Sequence, residues 1–381
     1  MSKVLLGLSG GVDSAVAAYL LKEQGHDVTC CFMRNWDSAL NNDTLGNPTL
    51  NNDICPQEQD YNDAKKVAEI LGLPILRVDY IKEYWDDVFQ NFISEYKAGR
   101  TPNPDILCNK YIKFNAFLKF AKENGFEYIA TGHYVKNGVY DNQNVILKAD
   151  DSNKDQSYFL AQVAKEAIDM SLFPLGHIDK PNVRKLAHEL NLNIADKKDS
   201  TGVCFIGERN FREFLKNYIP MKPGKIIDIE TKEVIGEHQG VYYYTIGQRK
   251  GFRVGGNRGP YFCVGKDVYK NELYLATQDD KKWLYSDSCL VTGVNFIYRP
   301  KTNSLDCAAK FRYRQADNPV HIDIIDDETI KVTYKEPIKA VTVGQQAVFY
   351  LDDVCLGGGV IDKVYQNGID KEDILKDYLN N

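Results

Sequence analysis

Lys3 to Leu8 (KVLLGL) is an apolar run of strand length, and the residues behind it, Ser9-Gly10-Gly11-Val12-Asp13-Ser14, dictate how the chain must continue. Val12, Val16, Ala17, Leu20 and Leu21 recur at helical spacing, so strand, glycine turn and helix succeed one another with no linker. Such a unit opens a parallel α/β sheet, and its turn suits an anion. Gly10 and Gly11 let the backbone approach a phosphate with no β-carbon in the way, and the helix N-terminus adds unpaired N–H groups and partial positive charge. Ser9 and Ser14 supply hydroxyl donors, and Asp13 is either a magnesium ligand or a helix cap. A plain βα turn with capping serines is the competing reading; an S-G-G-x-D-S string directly behind an apolar strand favours nucleotide binding. The turn is not a Walker A loop, lacking Gly-Lys-Ser/Thr, nor a G-x-G-x-x-G dinucleotide fingerprint.

The alternation of strand-like and helix-like segments runs through residues 1–204. Strands are expected at Val28 to Met33, Ile75 to Asp79 and Tyr128 to Thr131, and helices at Gln57 to Leu71, Glu83 to Lys97 and Tyr111 to Asn124. Between the last two helices Gly99 to Asn109 (GRTPNPDILCN) holds two prolines and is expected to be a non-helical, functional loop. The Asn-rich stretch Asn41 to Asn52 reads as a surface loop. Ligands of open parallel sheets sit outside the carboxyl ends of the strands, so the loops after Leu8, Met33 and Thr131 should converge, with adenine and ribose against Met33 and Gly132. Residues 205–281 begin with an amphipathic helix (Phe211, Phe214, Leu215, Tyr218) and form a central, mostly β domain. Residues 282–381 are all-β, a small antiparallel barrel, with a terminal helix over Ile369 to Leu379.

A net charge of -6 gives no global attraction to nucleic acid, so any such contact must use local patches. Two are available: Thr245 to Pro260, with Arg249, Lys250, Arg253 and Arg258, and Lys310 to Arg314 (KFRYR), where alternate basic residues would share one face of a strand. The first strand begins at once, without a signal peptide, and no apolar stretch approaches about 18 residues, so the expectation is a cytoplasmic protein with no membrane partner. Nine cysteines with no C-x-x-C pair argue against a disulfide framework or a zinc ribbon, and no metal ligand set is expected. Cys30, Cys31, Cys263, Cys289, Cys307 and Cys355 sit in apolar, strand-like contexts. Cys108 and Cys204 differ. Cys108 follows Asn103-Pro104-Asp105 near a helix start, where a thiol gains thiolate character, and Asp105 is placed for proton transfer. Cys204 lies in the polar turn Asp199-Ser200-Thr201-Gly202-Val203-Cys204.

The Ser9 to Ser14 turn resembles the PP-loop of ATP pyrophosphatases, which activate an oxygen by adenylation and release pyrophosphate. Adenylation joined to two such cysteines suggests sulfur transfer to an activated carbonyl carbon. The strings GLSGGVDS, FMRNWD, GRTPNPDILCN, ATGHY, KDQSYFL, DSTGVCFIG, YTIGQRKG and VTVGQQAVFY, spread from Lys3 to about Val364, together resemble the tRNA-specific 2-thiouridylases of bacteria and mitochondria. That resemblance implies an adenine-nucleotide-hydrolase-like α/β domain and ATP-dependent 2-thiolation of a wobble uridine, with ATP and magnesium as cofactors and a sulfur-donor protein as partner. It implies that Gly7, Leu8, Ser9, Gly10, Gly11, Val12, Asp13, Ser14, Met33 and Gly132 bind ATP. Asn103, Pro104 and Asp105 would hold the flipped base, Cys204 would bear the persulfide and Cys108 would be its partner thiol, by sulfide release or by a disulfide. His133, Lys154, Asp155, Gln156, Arg312, Tyr313 and Gln345 would touch tRNA. The family often has proline where Val343 stands, and the Asn41 to Asn52 insert is longer than in many relatives. A small-molecule synthetase would have no use for the two cysteines, and a non-catalytic RNA-binding protein none for Asp13 and Asp105.

Overall fold

The computed structural model describes residues 1–48, 56–199, 206, 210–252, 254, 260–277 and 279–380. The strands β1 (Lys3–Gly7), β2 (Asp27–Arg34), β3 (Ile75–Asp79) and β4 (Tyr128–Ala130), with Ser171–Leu172 at the edge, form a parallel sheet in the order β3-β2-β1-β4-Ser171–Leu172. Alternate side chains leave β1 on opposite faces. Val4, Leu6 and Leu8 pack with α1 (Val12–Glu23), α2 (Pro56–Leu71) and the helix Lys180–Glu189. Leu5 packs on the other side with Phe92, Ile112 and Phe117, from helices spanning 81–97 and 104–123. Covered on both faces, the inner strands are apolar along their buried length, Val4 to Gly7 in β1 and Cys30 to Met33 in β2. Hence VTCCFM places Cys30 in one core and Cys31 in the other, and burial pushes both thiols up to about 12. The connections reverse direction about β1, between β2 and β4, and the crevice at that reversal is where such a sheet takes a ligand.

The helix 104–123 begins before the hydrophobic periodicity predicts. The Asn103 side chain accepts the amides of Asp105 and Ile106, and Pro104 occupies the first turn, where a missing N–H removes no bond. The expected non-helical loop is therefore a helix from Pro104 onward. Both helices on this face contain π-helical turns, Tyr84–Phe89 and Asn109–Ala116, packed against each other.

Residues 135–148 form a hairpin, β5 (Val135–Tyr140) and β6 (Gln143–Lys148), ahead of the edge strand β7 (Ser171–Leu172). The central sheet joins the hairpin β8 (Gly224–Asp228) and β9 (Val234–His238) to β10 (Tyr261–Asp267) and β11 (Glu272–Thr277) by parallel pairing of β8 with β11. The helix Lys371–Asn380 covers it, with the Tyr378 and Trp283 rings 4.9 Å apart. Six antiparallel strands, β12 (Tyr285–Phe296), β13 (Ser304–Lys310), β14 (Asn318–Ile324), β15 (Thr329–Lys339), β16 (Gln346–Leu351) and β17 (Val354–Gln366), close into a barrel when β17 returns to β12. The barrel is tied to the first domain by β6 on β17, and by the loop before Asn103. Thr101 donates to the Val343 carbonyl (3.0 Å) and accepts from the Gln345 side chain (2.8 Å). Val343 thus makes the turn with Gly344 that a proline often makes.

One surface expectation is corrected, and another, a surface loop over the Asn-rich stretch, holds for its described residues but with three buried anchors. β13 ends at Lys310, and residues 312–314 form a turn, so the basic residues of KFRYR do not share a strand face. In residues 41–48, the described part of the insert, Asn41, Asp43 and Asn47 are buried. Trp36 donates its indole N–H to Asp43 at 3.0 Å, and Asn217 accepts the amides of Thr44 and Leu45. The stretch docks the helix Phe211–Leu215 onto the first domain, because Phe214 packs its ring on Trp36. Asp43→Ala leaves the Trp36 indole without this acceptor and should cost about 1–3 kcal/mol. A urea titration showing an unmoved midpoint would refute that role.

Candidate active site

The turn after β1 is held by its own serines. Ser14 donates its hydroxyl to the Gly11 carbonyl and accepts the Ser9 amide, both at 3.1 Å. Gly10 adopts φ +75, and a β-carbon there would lie 2.3 Å from the Asp60 carbonyl oxygen on α2. Gly11, at φ -103, is the N-cap of α1 and makes no side-chain cap, so the first-turn amides face outward without intrahelical partners. Gly132, just past β4, presses on that same turn: a β-carbon would meet the Ser14 nitrogen at 2.8 Å. Met33 closes the third side, its methyl 2.9 Å from where a Gly7 β-carbon would stand. The loops after β1 and β4 therefore meet, with Met33, still within β2, beside the end of β1, and this cradle of glycine backbone fits a nucleotide.

Asp13 does not cap α1. Its carboxylate accepts from the Tyr134 hydroxyl at 2.7 Å and from the Lys180 ammonium at 2.7 and 2.9 Å. Already satisfied by a cation, it does not fit a preformed magnesium site. Lys180 also reaches Asp199 at 2.7 Å, where Lys154 (2.6 Å) and Arg184 (2.8 Å) meet it. Burial opposes the Asp199 charge, but hydrogen bonds from Lys154 and Lys180 outweigh it and hold this carboxyl at about 2. Lys197 completes the ring of cations, donating to the Gly10 carbonyl, Asp60 and Asp63.

The second constellation lies on the opposite face of the sheet. Asn103 caps the helix that carries Pro104, Asp105 and Cys108; Asp105 is half-buried, and Cys108 is fully buried inside the helix rather than in a loop. Cys204 falls outside the described residues. Its described flanks are anchored: Asp199 to the cations beside Asp13, and Ile206 in the apolar cluster that contains Ile106 and Cys108.

Several residues expected to touch tRNA are engaged within the protein. Asp155 is buried, accepting from Ala149, Ser157 and the Ser157 hydroxyl, and Gln156 accepts the Tyr134 amide. His133 is buried beside Thr131, and burial, then the charge on Lys113, pushes its imidazole well below the usual histidine range. Arg312 holds the Ile246 and Ala340 carbonyls and the Thr342 hydroxyl. Tyr313 packs on Phe159 with ring centres 4.4 Å apart and planes tilted by 49°, and Gln345 holds Thr101. Arg249 and Lys250 are exposed; Arg253 and Arg258 lie outside the described residues. Lys180 and Arg184, which meet Asp199, were not legible as site residues, since no motif or spacing marks them; Tyr134 ends the string ATGHY, but nothing in that string announces its bond to Asp13.

Residues 2–208 match the tRNA methyl transferase HUP domain, 212–277 the tRNA methyl transferase PRC-barrel domain and 286–361 the aminomethyltransferase beta-barrel domain. The chain is 58% identical to the tRNA-specific 2-thiouridylase MnmA of Mycoplasma capricolum over 95% of this chain and 99% of that one. It is 52% identical to the enzyme of the same name from Mycoplasmopsis pulmonis, over 96% of this chain and 98% of the other. Among solved structures, an NMN synthetase from Francisella tularensis matches 52% of this chain and 66% of its own at 19% identity, with a TM-score of 0.32, too slight a likeness to argue from.

The two turn glycines should separate experimentally. Gly10→Ala meets both a positive φ and the α2 backbone, and should destabilise the protein by about 1–3 kcal/mol. Gly11→Ala, whose β-carbon would find only the Ser9 hydroxyl at 3.5 Å, should stay within about 0.5 kcal/mol of the parent. Equal melting of the two variants in a thermal scan would contradict this geometry.

Proposed function

Since the chain belongs to the tRNA-specific 2-thiouridylase family, we propose that it replaces the 2-oxygen of a wobble uridine in tRNA with sulfur, driven by ATP. ATP supplies the activation: adenylating the uracil 2-oxygen makes C2 electrophilic and makes the oxygen a leaving group. Gly7, Leu8, Ser9, Gly10, Gly11, Val12, Asp13, Ser14, Met33 and Gly132 bind the nucleotide, whose phosphates face the first turn of α1. Asn103 and Pro104 hold the base drawn out of the anticodon stack, and Asp105 moves the proton at it. Cys204 carries the terminal sulfur, received from a sulfur-donor protein, and that sulfur bonds to C2. Cys108 attacks the Cys204 sulfur and leaves a Cys108–Cys204 disulfide on either route: after the terminal sulfur has bonded to C2 and displaced AMP, which releases the 2-thiouridine, or before, which frees hydrosulfide that itself attacks C2 and displaces AMP.

The supporting observation is where the described residues on either side of Cys204 lie: Asp199 pairs with the cations beside Asp13, and Ile206 belongs to the apolar cluster of Cys108. Methyl transfer, the chemistry in the domain descriptions, has no use for an adenylating turn. The tRNA is gripped by its backbone, through Lys154, Tyr313 and the exposed Arg249 and Lys250, with Arg312 and Gln345 acting through the turns they hold. His133, Asp155 and Gln156 support the crevice floor from within. No helix among the described residues is long and apolar enough to cross a membrane.

Cys108→Ser and Cys204→Ser should fold, bind ATP and tRNA, and yield no 2-thiouridine by nucleoside mass spectrometry when given ATP and a sulfur source; full thiolation by both would end the proposal. Asp105→Asn should slow thiolation while leaving salt-dependent tRNA binding intact. Arg312→Ala should weaken tRNA binding at low and moderate salt, and unchanged affinity in a filter-binding assay would remove that turn from the interface.

A further inference from the structure

The ion cluster beside the phosphate turn holds more positive charge than it needs. Lys154, Lys180 and Arg184 face the carboxylates of Asp13 and Asp199, three cations against two anions, and all three cations reach Asp199. Lys180 is the least exposed of them, its side chain 9% accessible against 27% for Lys154 and 31% for Arg184. It starts the helix Lys180–Glu189, which packs along α1, so its ammonium is delivered to the N-terminal end of α1 rather than to solvent. There it lies within 2.9 Å of both Asp13 oxygens, in the first turn whose amides already favour an anion.

One carboxylate does not require three cations. A nucleotide polyphosphate brings several negative charges to this position and competes with Asp199 for the two ammonium groups, which are flexible point charges able to turn between acceptors. Arg184, by contrast, is fixed by the carbonyls of Ala195 and Lys197 and stays with Asp199.

We propose that Lys180, assisted by Lys154, binds the β- and γ-phosphates of ATP, and that Asp199 is an internal placeholder that keeps the two ammonium groups positioned until the nucleotide arrives. The inference deepens the nucleotide-binding part of the proposed function and rests on it. It adds a role at the phosphates to the one proposed for Lys154 at tRNA, and it couples nucleotide arrival to Asp199, the last described residue before Cys204.

The test is calorimetric titration of the full chain with ATP and with AMP. Lys180→Met should weaken ATP at least tenfold and leave AMP within twofold, since AMP lacks the phosphates in question. Asp199→Asn removes the competing charge at constant shape and should tighten ATP severalfold, with AMP unchanged; a merely structural Asp199 predicts weaker binding of both. Should Lys180→Met fail to fold, Lys180→Met/Asp199→Asn, in which no charge is left facing a neutral partner across that pair, is expected to show the same loss of preference for ATP over AMP. Equal loss of both nucleotides, or an unaltered ATP-to-AMP ratio in these variants, overturns the role of Lys180 while leaving the nucleotide site standing. Parent protein that takes up neither nucleotide overturns the site itself, and this inference with it.

Discussion

Between Gly132 and the first turn of α1 there is no room for a β-carbon, and the rest of the site depends on that contact. It locks the carboxyl end of β4 against the turn that ends β1, where the order of strands reverses. With Met33, near the end of β2, pressed on Gly7, three segments far apart in sequence meet at the carboxyl edge of the sheet. A parallel sheet supplies this convergence without any side chain having to reach, because the strand ends already point the same way. What the glycines add is proximity: backbone replaces side chain where a phosphate or a ribose must come close.

The same economy organises the charges. The protein is acidic overall, with a net charge of -6, yet Lys154, Lys180, Arg184 and Lys197 collect around one turn. Each is paired with a carboxylate, so the site holds its cations desolvated in part and close to the turn. Charge–charge attraction there is stronger than in bulk water, and the lysine ammonium groups proposed to meet a polyphosphate need only turn from one acceptor to another. On the other face of the sheet the surroundings are apolar: Cys108, the proposed partner thiol, is buried in one cluster with Ile106, Ile112 and Ile206.

The parallel sheet, its two-sided core, the barrel and the phosphate turn were all legible in the sequence, because each rests on periodicity or on glycines that have few other uses. The helix start at Pro104 was misread, since two prolines look like a breaker until Asn103 is seen to cap and Pro104 to fill the first turn, where its lost N–H has no cost. KFRYR failed for a different reason: a period-two pattern cannot announce that the strand stops at Lys310. Asp43 and Asn47 read as loop residues by type, and only tertiary contacts with Trp36 and the central domain bury them. The Lys180 to Asp13 and Lys180 to Asp199 pairs join residues from three separate segments, and nothing in local sequence encodes such a meeting.

The central claim is that ATP activates the very oxygen that sulfur replaces. Its most direct measurement is a single turnover of the purified protein on tRNA carrying oxygen-18 at C2 of the wobble uridine, with ATP and a sulfur donor, followed by mass spectrometry of the released AMP. Adenylation of the 2-oxygen predicts one labelled oxygen in AMP for each 2-thiouridine formed. Thiolated tRNA accompanied by unlabelled AMP, or by no AMP at all, would contradict it.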